Sequence, residues 1–247
     1  MGFIKKLIIT FSFLVTLSSA LASPLAEDVL KIGTMDLPPY GWQDKAGPKY
    51  GIIYELNEEI GKRSGLSYSN QILPFKRMLA LLKKGEIDIV SSQAHDASLS
   101  AGDKLAIQFD IDVIAGTRKS SKIKTFQDLK NKRFIYHRSA SYKQLKNYPR
   151  SIVRVNSYEQ SLSLLSKNRA SDASVFSEPA YYYWMKQLGF TPKDFGNVIL
   201  IEKAKKQWVF IRKDYPANKR KKIKRIVEQI YKENMYNQLL NKYGKGE

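Results

Sequence analysis

One pattern occurs twice in this chain and constrains its fold more than any other feature. An apolar helical run ending in Leu-Leu is followed by Lys, by a turn-permissive residue, and then by an Asp that opens an apolar strand. The first copy runs from Leu81-Leu82 through Lys84 and Gly85 to Asp88, and the second from Leu164-Leu165 through Lys167 and Asn168 to Asp172. Helix-to-strand switches of this kind belong to parallel βαβ units, because a parallel neighbour needs a crossover that a helix supplies. Two copies, one residue out of register, predict two similar α/β lobes.

The surrounding residues extend both copies. Val29 to Gly33 reads as a strand, and Asp36-Leu37-Pro38-Pro39-Tyr40-Gly41-Trp42 as a loop, since two prolines remove donors and fix φ. Gly51 to Ser64 places Ile52, Ile53, Leu56 and Ile60 at helical spacing, with Gly65 at the stop. A helix over Lys76–Lys84 stops at Gly85 and feeds a strand over Ile87–Ser91. In the second half, Thr125 to Asp128 forms a capping box before a strand over Arg133–Tyr136. Ser157 and Gln160 form another, opening a helix that ends near Asn168, and Asp172–Phe176 is its strand. Trp208–Arg212 and a long helix carrying Ile223, Ile226, Val227, Ile230, Leu239 and Leu240 have no counterpart in the first half. That terminal helix is expected to pack on the first lobe.

The start of the chain sets the compartment. Lys5 and Lys6 precede an apolar run from Leu7 to Leu17, and small residues stand at Ala20 and Ala22. This is the layout of a secretory signal peptide cleaved after Ala22. The run is shorter than the roughly 20 apolar residues that a bilayer core requires of an anchor. Some 225 residues follow, enough for real cores without disulfides, and the chain has no cysteine. Thiolate catalysis, Cys-ligated metal and a lipidated cysteine are thereby excluded. With two histidines and no metal-ligand spacing, neither metal nor cofactor is expected.

The formal charge of +19 drops by two, to +17, once Lys5 and Lys6 leave with the leader. Such a balance invites nucleic acid or anionic membrane. The basic residues are mostly Lys spread along the chain, however, and no nucleic-acid motif is present, so nucleic acid is not expected as a partner. The densest cluster, Lys219 to Lys222 with Lys224 and Arg225, reads as a solvated helix face or a contact for an acidic partner.

Taken together, Leu37-Pro38-Pro39-Tyr40, Gly51 with Glu55-Leu56, the run LLKKGEIDIV ending at Val90, FQDLKNKRF, SDASVF and QWVFIRKDYP resemble bacterial extracellular solute-binding proteins of family 3. The resemblance covers nearly the whole chain after residue 22. It implies a periplasmic-binding-protein-like (type II) fold: two α/β lobes, each a mostly parallel sheet flanked by helices. Residues 23–112 plus 207–247 would form lobe 1 and residues 113–206 lobe 2, after a leader over 1–22. It further implies a monomeric periplasmic receptor, not an enzyme, that captures a small polar ligand between the lobes for a membrane-embedded ABC permease.

Site residues follow from the same resemblance. Tyr40 and Trp42 on the proline-stiffened loop, with Phe75, are candidate ligand walls or core aromatics. Arg77 begins a helix where a cation opposes the macrodipole, which calls for an acidic partner, a ligand carboxylate or plain solvent exposure. Ser92, Gln93 and His95 follow a strand and are candidate carboxylate contacts. Arg138, Ser139 and Ser141 are their counterparts in lobe 2, and Glu178 is the candidate for a ligand ammonium, although Ser177 takes the family's acidic position when counted back from Pro179. One departure stands out. Family members follow this first strand end with Thr-x-x-Arg, whose Arg forks onto a carboxylate, whereas DASLSAGDKLAIQFD has no Arg and offers Lys104 instead. An α-amino acid is therefore not carried over by default. Two other readings stay open: a dehydratase-like enzyme using Glu178 on the same scaffold, and a soluble sensor docking on a membrane partner.

Overall fold

The structure is a computed structural model that describes residues 29–243, except 46, 139 and 168–170. The leader expected over 1–22, Ser139 and Asn168 lie outside the described residues. Among the described residues, no helix is long and apolar enough to cross a membrane.

The strands are β1 (Val29–Met35), a short hairpin of β2 (Trp42–Gln43) and β3 (Lys49–Tyr50), β4 (Ser67–Leu73), β5 (Ile89–Gln93) and β6 (Asp103–Arg118). They continue with β7 (Lys132–His137), β8 (Pro149–Val155), β9 (Ala173–Ser177) and β10 (Phe195–Ile211). The helices are α1 (Ile52–Ser64), α2 (Phe75–Lys84), α3 (Asp96–Ala101), α4 (Tyr158–Ser166), α5 (Glu178–Gln187), α6 (Ala217–Lys232) and α7 (Met235–Tyr243).

Eight strands form one sheet in the order β4-β1-β5-β10-β6-β9-β7-β8. The order reads the same from either edge. In one half β1 is parallel to β4 and β5, and β10 closes antiparallel on β5. In the other half β7 is parallel to β8 and β9, and β6 closes antiparallel on β9. The repeat in the sequence is thus a repeat in topology, with β6 and β10 paired to each other at its centre.

The duplicated aspartates do the same job in each half. Asp88 Oδ2 accepts the Lys31 N–H at 2.8 Å and Asp172 Oδ2 accepts the Arg133 N–H at 2.9 Å, so each carboxylate fastens the start of the neighbouring parallel strand. Arginines neutralise both: Arg212 Nε reaches Asp88 at 2.7 Å, while Arg118 and Arg133 reach Asp172 at 3.2 and 3.3 Å. Burial alone would raise the Asp172 carboxyl, but the bonds from Arg133 outweigh it and leave it below the usual carboxylate value.

Helix ends follow the local chemistry. Gly65 and Gly85 take the left-handed conformation after α1 and α2, as their lack of Cβ permits. Ser157 Oγ accepts the Gln160 N–H at 3.1 Å and starts α4, and Asp128 accepts the N–H groups of Lys124 and Thr125 before a short 3-10 turn. The terminal helix is two helices: Asn234, at φ 57, breaks it between α6 and α7. Both pack on α1, and α6 also covers β6. Two strands absent from the sequence reading, β4 and β8, form the outer edges of the sheet.

α1 is bound to the sheet through a buried polar network. Asn57 donates to Thr34 Oγ1 at 2.8 Å, and its Oδ1 accepts from Ser91 Oγ and Gln108 Nε2, each at 3.1 Å. One side chain thereby ties a helix to β1, β5 and β6, and unpaired partners in such a site would each cost about 1–3 kcal/mol.

Candidate functional site

The carboxyl ends of β1, β5, β7 and β9 carry the loops that open-sheet α/β proteins use for ligands. Here the loop after β1 meets the end of β9. Tyr40 Oη donates to Ser177 Oγ at 2.6 Å, and both residues are buried, which joins one half of the sheet to the other.

The position of Tyr40 is dictated locally. The N–H groups of Ile52, Ile53 and Tyr54 at the start of α1 donate to the carbonyls of Pro39 and Tyr40 at 2.9–3.1 Å, so the helix start is capped by the proline loop. Gly51, at φ 123, allows this approach, because a Cβ there would overlap the Tyr40 carbonyl. The donors of this helix N-terminus are therefore already used.

Around Ser177 stand three buried phenols, Tyr40, Tyr142 and Tyr158. Burial, foremost, pushes each phenol above its usual value, strongly for Tyr40 and Tyr142. All three therefore remain neutral donors at ordinary pH. Tyr136 packs edge-on against Tyr142 at 5.0 Å and is pushed up to about 12 by burial.

On the opposite half, Ser92, Ser98 and His95 form one cluster at the end of β5. Ser92 Oγ and Ser98 Oγ are 2.8 Å apart, and His95 Nδ1 accepts the Ser98 N–H at 3.3 Å, capping α3. Phe75 lies edge-on to His95 with ring centroids 5.4 Å apart. Burial lowers the pKa of His95, and burial likewise lowers that of His137, which follows Tyr136 in β7. Gln93 is half-buried beside this cluster.

The other expected residues lie apart from it. Trp42 is enclosed by Tyr50, Tyr183 and Tyr243 at centroid distances of 5.5–5.8 Å, where it joins the hairpin to α5 and α7. Arg77 is exposed on α2, and Lys104 lies with Nζ 4.7 Å over the Trp208 ring. Arg138 and Ser141 are exposed on the loop after β7, where the Arg138 N–H donates to Val155 O at 2.8 Å. Glu178 is the first residue of α5 and half-buried.

Tyr142, Tyr158 and the crossing-strand pair Glu202 and Lys205 were not singled out in the sequence. Tyr158 carries the one usable signal, since it directly follows the Ser157 cap and so stands at a helix start after a strand. Among the described residues no cluster of metal-ligating groups occurs. Two further cavities lie away from the strand ends, one beside Arg118, Lys122 and Lys132 and one between Asp110 and Tyr236.

Comparison with known proteins places this geometry. Residues 30–98 match the model of bacterial extracellular solute-binding proteins, family 3. No curated protein matches the chain. Among solved structures, an arginine 3rd transport system periplasmic binding protein from Legionella pneumophila has 23% identity and a TM-score of 0.70, over 87% of this chain and 98% of that one. An ABC uptake transporter substrate binding protein from Streptococcus pneumoniae with bound histidine has 21% identity and a TM-score of 0.70, over 87% and 92%. A histidine kinase sensor domain with similarity to periplasmic binding proteins has 18% identity and a TM-score of 0.69, over 88% and 96%. The signature of the family 3 bacterial extracellular solute-binding proteins thus lies in residues 30–98, on a two-lobed, periplasmic-binding-protein-like α/β fold that runs through the described chain.

Proposed function

We propose that this chain is a periplasmic receptor that closes its two lobes around a small polar ligand and presents it to a membrane-embedded ABC permease. The observation that carries the reading is the Tyr40–Ser177 hydrogen bond, which joins strand-end loops from opposite halves of the sheet. Contacts of this kind form when a hinged cleft closes. Strand pairing supports the lobes as 23–112 plus 207–247 and 113–206. β9 pairs with β6 from Val113 onward, and β5 pairs with β10 from Gln207 onward, so each crossing strand changes allegiance at those positions.

The amino-acid and arginine transport proteins among the structural neighbours support an amino acid or related metabolite as ligand. Tyr40, Ser92, Gln93, His95 and Phe75 from lobe 1 would line the cleft, with Glu178, Arg138 and Ser141 from lobe 2. The receptor acts as a monomer, without turnover, after the leader is cleaved behind Ala22.

A thermal-shift screen of residues 23–247 against amino acids, polyamines, dicarboxylates and small peptides tests the reading. A ligand at one hundred times its Kd adds about 2.7 kcal/mol, on the order of 5 °C or more for a chain of this size. A hit recovered unchanged supports a receptor. A hit converted to product refutes the receptor in favour of an enzyme, and no shift across the screen refutes ligand capture.

A further inference from the structure

The crossing strand β10 is irregular where it passes between the two halves. Glu202 pairs with Val113 and Lys205 with Ile111, so Lys203 and Ala204 together stand opposite Asp112, and β10 carries one residue more than β6 at this point. Ala204 adopts φ 50, and its N–H donates to Asp112 Oδ1 at 2.7 Å. A non-glycine residue held in this region costs on the order of 1–3 kcal/mol and persists where its surroundings over-determine it, often at functional sites.

The insertion has a definite effect on side-chain direction. Residues three apart in a regular strand face opposite sides. Here Glu202 and Lys205 share one side, with Oε2 3.0 Å from Nζ. Lys206 takes the other side, 2.6 Å from Asp110, which also accepts from Tyr231 of α6. Lys205 Nζ lies 5.7 Å from the ring centroid of Tyr142, one of the phenols around Ser177, and its charge also reaches His95 at the end of β5. An acid and a base, with side chains only 25% and 19% exposed, therefore stand between the strand-end loops of both halves.

The pair is incompletely satisfied. Glu202 Oε2 is buried and makes no directional hydrogen bond among the described residues, so its contact with Lys205 is a Coulomb contact alone. A ligand bearing an ammonium and a carboxylate would exchange one misaligned contact for two charge-assisted hydrogen bonds. A simple anion or a simple amine would instead leave one member of the pair partly buried and unmatched, which is costly.

We propose that Glu202 and Lys205, brought to one face by the Lys203–Ala204 bulge, read the opposite charges of a small zwitterion in the cleft, with Lys205 receiving its carboxylate and Glu202 its ammonium. The inference rests on the receptor reading above.

The test uses residues 23–247 and calorimetric titration with L-arginine and L-histidine, with agmatine and histamine as the matching amines without carboxylate, and with succinate. The wild type is expected to bind at least one of the amino acids, and neither its amine nor succinate. Lys205→Met and Glu202→Gln should each weaken that amino acid by on the order of tenfold or more, whereas Lys205→Arg should stay within about threefold. Circular dichroism melts without ligand check that each variant folds. Binding of the same amino acid by folded Lys205→Met and Glu202→Gln at wild-type strength overturns the clamp while leaving the receptor reading intact. Equal binding of the amine or of succinate by the wild type overturns the zwitterion. Failure of the wild type to bind any of the five compounds overturns the clamp for these two amino acids, and the receptor reading falls with it only if the broader thermal-shift screen is also silent.

Discussion

Removing one oxygen atom tests whether the cleft is held shut from within. Tyr40→Phe keeps the ring, which is 5% exposed, and keeps the Tyr40 carbonyl that accepts from Ile53 and Tyr54, so the loop and the start of α1 are undisturbed. What is lost is the 2.6 Å bond to Ser177. A net buried hydrogen bond contributes about 1 kcal/mol. Ser177 keeps Tyr158 as a neighbour, so its hydroxyl is not orphaned and the cost stays near that figure. Because the bond spans the two halves, the receptor reading has it form on closure, and its loss is then expected to move the closed-to-open ratio about fivefold toward open.

The absence of native cysteine makes the assay simple. Dyes on Lys84→Cys and Lys193→Cys, exposed positions in opposite halves, would report the distance between lobes by single-molecule energy transfer. Tyr40→Phe should populate a longer-distance state in the absence of ligand. In a double-mutant cycle with Ser177→Ala the coupling should be about 1 kcal/mol. An unchanged distance distribution, with a coupling below about 0.3 kcal/mol, would refute the argument that this bond holds the lobes together.

Three further outcomes follow from the same structure. His95 and His137 both have pKa values lowered by burial, so the folded state resists protonation; the stability they contribute is fully present above 6.5 and is lost as pH falls through their folded values. Urea midpoints should drop between pH 7.5 and pH 5, and a His95→Asn/His137→Asn double variant should flatten that slope. Asp88→Ala and Asp172→Ala should each cost about 2–3 kcal/mol, since each strips a strand start and an arginine of a shared carboxylate; chemical denaturation showing a loss in only one of them would break the claimed equivalence of the halves. Gly116→Ala would set a Cβ 2.7 Å from the Tyr181 ring and should cost about 1–3 kcal/mol by overpacking, read as a lower melting temperature.

What the sequence disclosed and what it concealed divide along a physical line. Patterns carried by neighbouring residues were legible: the stops at Gly65 and Gly85, the Ser157 cap, the apolar face of α1, and the strand starts at Asp88 and Asp172. The edge strands were not. β4 reads Ser-Tyr-Ser-Asn-Gln-Ile-Leu, and β8 leaves five of its seven residues exposed, so neither presents an apolar run, and both are specified by their register on β1 and β7. The break at Asn234 was hidden for a related reason, because apolar residues continue at helical spacing on both sides of it.

The site is less legible than the scaffold because its contacts join distant parts of the chain. Trp42 was a reasonable ligand wall on its loop, but its neighbours include Tyr183 and Tyr243, and no local pattern announces that enclosure. Arg77 and Arg138 stand near a strand end in sequence, yet both are exposed. Lys205 sits in a run with Lys203 and Lys206 that reads as an ordinary solvated edge. It differs from them because two residues, Lys203 and Ala204, oppose the single residue Asp112, and such a bulge is a property of how two strands pair. Repetition therefore accounts for the frame of this protein, with Asp88 and Asp172 as interchangeable fasteners. The chemistry that would discriminate among ligands lies where the repeat fails: at the tyrosines that one half lends to the other, and at the irregular turn of the strand that crosses between them.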